Sequence, residues 1–184
     1  VYTPGIALRT DFNAHCFKVG ELDGRDTPRA RELAAMLQAT GIGPASVTCN
    51  LWGQRWSKLI VNCMNNGLAG LTGWMTAVTR THPDTQRIGI QLAAEVVLVA
   101  RAHGRKQEEV MGMNPDCIVG AAAGNPEDLR QCKAQLLDMA NKAGVKSRPS
   151  FGQDVVKGRR TEIGELNGFV AEMGRQKGVP TPFC

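Results

Sequence analysis

The sequence predicts a mainly helical chain, an all-helical C-terminal part preceded by the trailing edge of an α/β layer. A strand, helix, strand pattern fills residues 1–49 and does not recur. From Asn50 onward the long apolar patterns have the helical period, and cap residues followed by proline mark helix starts.

Residues 1–8 and 16–19 read as short β-type runs broken by Gly and Asp, and GELDG at 20–24 is a turn signal. Thr27 ahead of Pro28, with Glu32 in the following turns, opens a helix whose apolar face is Leu33, Met36 and Leu37, and Gly41 ends it. Residues 44–48 read as one more short strand. Asn50 then caps a new helix.

That helix, NLWGQRWSKLIVNCMNNGLAGLT at residues 50–72, organises the rest of the chain. Lys58, Asn62 and Asn66 recur every fourth position, so each step turns by only ~40° and climbs ~6 Å along one face. Asn65 lies close to the stripe. Asn competes for nearby backbone groups and is a poor helix former, so three of them within residues 62–66 break a local rule without an obvious structural gain. Such breaks tend to mark sites. The competing reading makes Asn65-Asn66-Gly67 a helix stop and Lys58 an ordinary solvated lysine.

Residues 84–103 form a further helix, stopped by Gly104, with Ile88, Leu92, Val96 and Val99 on its apolar face. Glu95, the one charge in LAAEVVLVA, reads as a partly exposed carboxylate, or alternatively as a group orienting the polar stripe. Residues 104–124 read as a short amphipathic piece followed by a loose connection at GAAAG. Asn125-Pro126-Glu127 repeats the cap-then-proline signature and opens a helix to about residue 143, with Leu129, Leu136, Leu137 and Ala140 inward. Ser150 follows a proline and can cap a helix. Glu162 precedes the apolar face Ile163, Leu166, Phe169 and Val170, and is either an amphipathic-edge carboxylate or one that reaches the hollow beside Lys58.

Composition narrows the chemistry. With 184 residues, 42% hydrophobic, the chain can bury a proper core. Only 5% of residues are aromatic, which speaks against a nucleic-acid reader built on stacking platforms. A formal charge of +5 suits anionic small molecules. The six cysteines show no ligand-like spacing, so zinc is not expected, and scattered thiols fit a reducing cytoplasm. His15, His82 and His103 read as surface residues. No signal peptide or membrane-length apolar run is present, and neither are GxGxxG, GxxxxGK[ST] and GxSxG motifs.

Four segments together resemble the C-terminal half of the ketopantoate reductase family. They are FKVGELDG at 17–24, W-x-K-L-x-x-N-x-x-x-N at 56–66, Ser150-x-x-Gln153-Asp154, and RRTEIGELNG at 159–168, with GVPTP at 178–182 similar to that family's loop before a last helix. The resemblance implies residues 1–49 as the last part of a Rossmann-type NADP-binding domain and residues 50–184 as the helical substrate domain. It implies NADPH as cofactor and a 2-keto acid, ketopantoate, as substrate. Lys58 would supply the proton to the ketone oxygen, Asn62, Asn66 and Ser150 would bind substrate, and Glu162 would contact the cofactor. Some members place another substrate-binding Asn where this chain has Thr76.

Val1 opens in an apolar run with no initiator methionine, and the last residues stop abruptly, so a piece of a longer protein is expected, inactive without its phosphate-cradling loop. No nucleic-acid or membrane partner is expected, and a homodimer is left open. The rival readings are a relative acting on another oxo acid and a non-catalytic helical dimerisation module.

Overall fold

The computed structural model describes Gly5, residues 17–143 and residues 147–184. The strand expected over residues 1–8, and His15, fall outside the described residues apart from Gly5. The chain divides into two units, Val1–Gln54 and Arg55–Cys184.

The first unit contains β1 (Phe17–Val19), α1 (Pro28–Ala39) and β2 (Ala45–Val47). The strands pair in parallel, with Phe17 opposite Ala45 and Val19 opposite Val47. Parallel neighbours need a crossover, and α1 supplies it, which makes a βαβ unit. Thr27 caps α1 by accepting from the Ala30 N–H at 3.3 Å. Its hydroxyl also donates to Glu21, which Arg29 grips through two hydrogen bonds. The Arg29 guanidinium, aided by Thr27, holds the Glu21 carboxyl down at about 2. Of the three residues expected on the inner face of α1, only Leu37 turns inward, and it is half-buried. Ala30 and Ala34 are buried, whereas Leu33 is 47% and Met36 62% exposed. The stripe facing the strands runs through Ala30, Ala34 and Leu37, and Leu33 and Met36 lie roughly 60° and 120° round the helix from it.

α2 (Leu51–Thr72) follows, capped by Asn50, whose Oδ1 accepts from the Gly53 N–H at 3.1 Å. The helix does not stop at Asn65-Asn66-Gly67 but runs about one and a half turns further. After it come α3 (Thr76–Thr81), α4 (Pro83–Ala102), α5 (Pro115–Ala122), α6 (Pro126–Lys142), α7 (Ser150–Val156), a π-helical turn (Gly164–Gly168) and α8 (Phe169–Lys177).

α4, α5 and α6 start alike. His82, Asn114 and Asn125 each precede a proline, and each accepts from the N–H two residues on, at 3.4, 2.8 and 3.0 Å. Proline occupies the position whose N–H would have no helical partner, and the cap satisfies the next donor. α5 corrects the expected loose connection, because much of GAAAG is helical. α3 carries no apolar period and is held from outside, with the Thr76 N–H donating to the Ser147 carbonyl at 2.9 Å. In α6, Leu136 and Ala140 are buried as expected, but Leu137 is 51% exposed. Ser150 does not cap α7. It is the first helical residue, Pro149 holds the cap position, and no side chain caps that end.

The core of the second unit lies along α4, whose Ala93, Val96, Val97, Val99 and Ala100 pack with Trp56, Ile60 and Cys63 of α2 and with Ile118, Leu136 and Val170. Gly89 lets α4 approach the α2 backbone, since a Cβ there would meet the Met64 carbonyl at 3.2 Å. Glu95 is buried rather than partly exposed. Its carboxylate accepts the N–H groups of Phe183 and Cys184, both at 2.9 Å. Left-handed Gly104 and Gly178, with φ of +68° and +67°, end α4 and α8.

Candidate functional site

α2 separates its polar residues by task. Ser57 is buried and ties the helix to the segment after α4, donating to the Glu108 carbonyl at 3.1 Å and accepting from the Glu108 N–H at 2.9 Å. Asn65 is also structural: it donates to the Val61 carbonyl at 2.8 Å and accepts from the Arg80 guanidinium at 3.4 Å. Arg80 in turn donates to the Met139 carbonyl at 3.2 Å, joining three helices. Burial lowers its pKa. Cys63, wholly buried in the apolar face, has its thiol pushed up to about 12, which suits packing rather than nucleophilic chemistry.

The stripe residues behave otherwise. Lys58 is exposed, Asn62 is half-buried and Asn66 is 7% exposed. Among the described residues none of the three side chains has a hydrogen-bond or ion-pair partner. A buried Asn with its amide unspent is unusual, because buried polar groups nearly always find partners. Ser150 and Glu162, both exposed, likewise have no side-chain partner among the described residues.

Two close approaches bring the segments carrying Ser150 and Glu162 onto α2. A Cβ on Gly70 would lie 2.5 Å from the Phe151 ring, and one on Gly152 would lie 3.8 Å from the Ala69 Cβ. The first turn of α7, with Ser150, therefore sits over Ala69 and Gly70, one turn past Asn66. Ile163, next to Glu162, comes to 3.7 Å from where a Gly67 Cβ would be. Phe169, at the start of α8, packs against Trp56 with ring centroids 5.8 Å apart and the rings tilted by 39°. The elements that bear all five predicted residues thus converge on α2. Thr76 is spent elsewhere: it is buried, and its hydroxyl accepts from Ser147 at 3.4 Å.

A groove of about 450 Å³ between the end of α4 and the start of α5, lined by Arg101, Arg105, Lys106, Glu109 and Asp116, includes none of the five. Among the described residues no cluster of His, Cys, Asp and Glu could hold a metal ion, and no helix is long and apolar enough to cross a membrane. Sequence reasoning gave no role to Asn167, which lies in the RRTEIGELNG segment and is 4% exposed with its Oδ1 unpaired among the described residues.

Residues 50–184 match the family described as "Ketopantoate reductase PanE/ApbA C terminal". The chain is 29% identical over 182 residues to a 2-dehydropantoate 2-reductase of Pyrobaculum aerophilum, covering 99% of this chain and 56% of that protein. It therefore spans about half the length of that curated relative. Among solved structures, a D-mandelate dehydrogenase with NADH and anilino(oxo)acetate superposes with a TM-score of 0.69 at 23% identity, over 91% of this chain and 48% of the other. A dimeric ketopantoate reductase from Staphylococcus aureus superposes with a TM-score of 0.61 at 19% identity, over 86% of this chain and 48% of that one. At such identities the two superpositions speak for the fold.

Proposed function

The chain belongs to the ketopantoate reductase family by its C-terminal domain, and from that premise we propose that residues 50–184 form the substrate side of a nicotinamide-dependent 2-oxo acid reductase. Its substrate is 2-dehydropantoate, reduced to pantoate, and its cofactor is NADPH. Residues 1–49 are proposed as the end of the nucleotide-binding domain of the whole protein, which would be cytoplasmic.

One observation supports this reading above the others. Lys58, Asn62, Asn66, Ser150 and Glu162 come from three separate segments that meet on α2, and their side chains are unspent among the described residues.

Each residue type fits its proposed task. During reduction the ketone oxygen gains negative charge, so the Lys58 ammonium stabilises the transition state more than the ground state and passes its proton to that oxygen. Asn62 and Asn66 carry both donors and an acceptor, which suits a ligand bearing a carboxylate and a hydroxyl. The Ser150 hydroxyl adds a donor from the α7 side. Glu162, an exposed carboxylate with no protein partner among the described residues, can accept hydrogen bonds from sugar hydroxyls and so fits the cofactor. When bound, the nicotinamide supplies the hydride that reaches the carbonyl carbon.

A second reading keeps the chemistry and changes the acid. Thr76 stands where some members have a substrate-binding Asn and is turned to Ser147, which favours a different 2-oxo acid. An assay of the full-length protein on 2-dehydropantoate and a panel of short and aromatic 2-oxo acids, with NADPH and NADH in parallel, separates the two. The highest kcat/KM is expected with 2-dehydropantoate and NADPH. Cofactor oxidation by none of the acids overturns the proposal.

A further inference from the structure

Asn167 is buried, yet its Oδ1 is the one buried side-chain nitrogen or oxygen among the described residues with no hydrogen-bond partner. An orphaned buried oxygen is a standing cost to folding, which an apolar side chain of similar shape would remove. The residue is well anchored. Its carboxamide lies beside the Cys184 thiol, and Glu95 on α4 accepts the Cys184 N–H at 2.9 Å. The backbone around it makes a π-helical turn, with the Gly168 N–H donating to the Ile163 carbonyl at 2.9 Å. Such turns are rare and recur at functional sites.

The orphaned oxygen lies over α2, 4.0 Å from where a Cβ on Gly67 would be. The residue before Gly67 is Asn66, itself 7% exposed and with its amide unspent among the described residues. An acceptor without a donor thus lies over the α2 position next to Asn66, whose amide has donors to spare.

We infer that Asn167 is a positioning residue for Asn66: its Oδ1 accepts a hydrogen bond from the Asn66 Nδ2 when the 2-oxo acid binds, fixing how Asn66 presents its amide. One N–H of Asn66 goes to Asn167, and its other N–H and its oxygen remain for the ligand. This role rests on the proposed reading of the stripe as the substrate wall.

The test uses the full-length protein with 2-dehydropantoate and four variants: Asn66→Ala, Asn167→Leu, Asn167→Asp and the double variant Asn66→Ala with Asn167→Leu. Asn167→Leu should melt at or above the wild-type temperature, since the orphaned oxygen is gone. It should nevertheless raise KM about tenfold, the worth of one hydrogen bond, while kcat changes far less. Asn167→Asp, which keeps an acceptor in place, should retain most of the wild-type KM and carries the test if the leucine variant fails to fold. The double variant should show a KM no higher than that of Asn66→Ala alone, because the two residues act as one. A wild-type KM in Asn167→Leu, equal losses in the Leu and Asp variants, or multiplying effects in the double variant overturn the inference and leave the substrate wall standing. An unchanged KM in Asn66→Ala removes the substrate wall itself, and the role of Asn167 with it.

Discussion

Gly70→Ala sets two effects of opposite sign against each other, and the close approach of α7 to α2 decides between them. Alanine is better than glycine in a helix interior by about 1 kcal/mol. At Gly67 that gain is free, because a Cβ there meets nothing closer than Ile163 Cδ1 at 3.7 Å. Gly67→Ala should therefore stabilise by about 0.5–1 kcal/mol. At Gly70 the same methyl falls 2.5 and 2.9 Å from two Phe151 ring carbons, with Val155 Cγ2, also of α7, at 3.4 Å. Carbon atoms prefer about 3.5–4.0 Å, so the ring and its helix must retreat by roughly 1 Å. Phe151 is only 6% exposed, so the ring has little room to move, and overpacking of this kind costs about 1–3 kcal/mol. The net effect is destabilisation by about 0–2 kcal/mol, leaving Gly70→Ala about 1–3 kcal/mol below Gly67→Ala in urea denaturation. Because α7 carries Ser150, its retreat should also raise KM for the 2-oxo acid about tenfold or more in the full-length protein. A Gly70→Ala variant as stable as Gly67→Ala, or one with an unchanged KM, would refute the packing argument.

Glu95→Ala strands two backbone N–H groups at Phe183 and Cys184, and since that segment can turn partly to water the loss should be about 2–4 kcal/mol. Chemical denaturation checks this, and a change under about 0.5 kcal/mol contradicts it. Burial pushes the Cys63 and Cys132 thiols up to about 12 from an ordinary 9.0. A raised folded pKa means that their contribution to stability is complete below about pH 9 and is lost as pH climbs towards 12. Stability measured across that window should fall more gently in Cys63→Ala than in the wild type, and parallel curves would count against the burial.

Local signals made much of the fold legible. Thr27-Pro28, Asn50 and Asn125-Pro126 start helices where expected, because a cap and a proline act within a few residues of themselves. α5 bears the same Asn114-Pro115 signature and was obscured by the alanines and glycines behind it. α3 has no comparable signal, since its first residue, Thr76, is held by Ser147, far along the chain. The burial of Glu95 also depends on distant partners, two N–H groups more than 80 positions away. Periodicity located the apolar face of α6 but not its edge, where Leu137 stays exposed, and it misplaced that of α1, where Leu33 and Met36 are exposed and Ala30 and Ala34 are buried. The stripe of Lys58, Asn62 and Asn66 was readable as spacing. The seats of α7 and the π-helical turn on α2 were not, because they depend on Gly67 and Gly70 meeting side chains from remote segments. Asn167 was visible as a letter in a motif, and only its burial and unpaired oxygen single it out.

Turnover of the full-length Lys58→Ala variant bears most directly on the proposed chemistry. With the proton donor gone, kcat for the 2-oxo acid should fall by about 10²–10⁴, the usual worth of a general acid, while the fold, judged by its unfolding transition, stays intact because Lys58 is exposed and has no partner among the described residues. A kcat within a few-fold of wild type would contradict Lys58 as the proton donor.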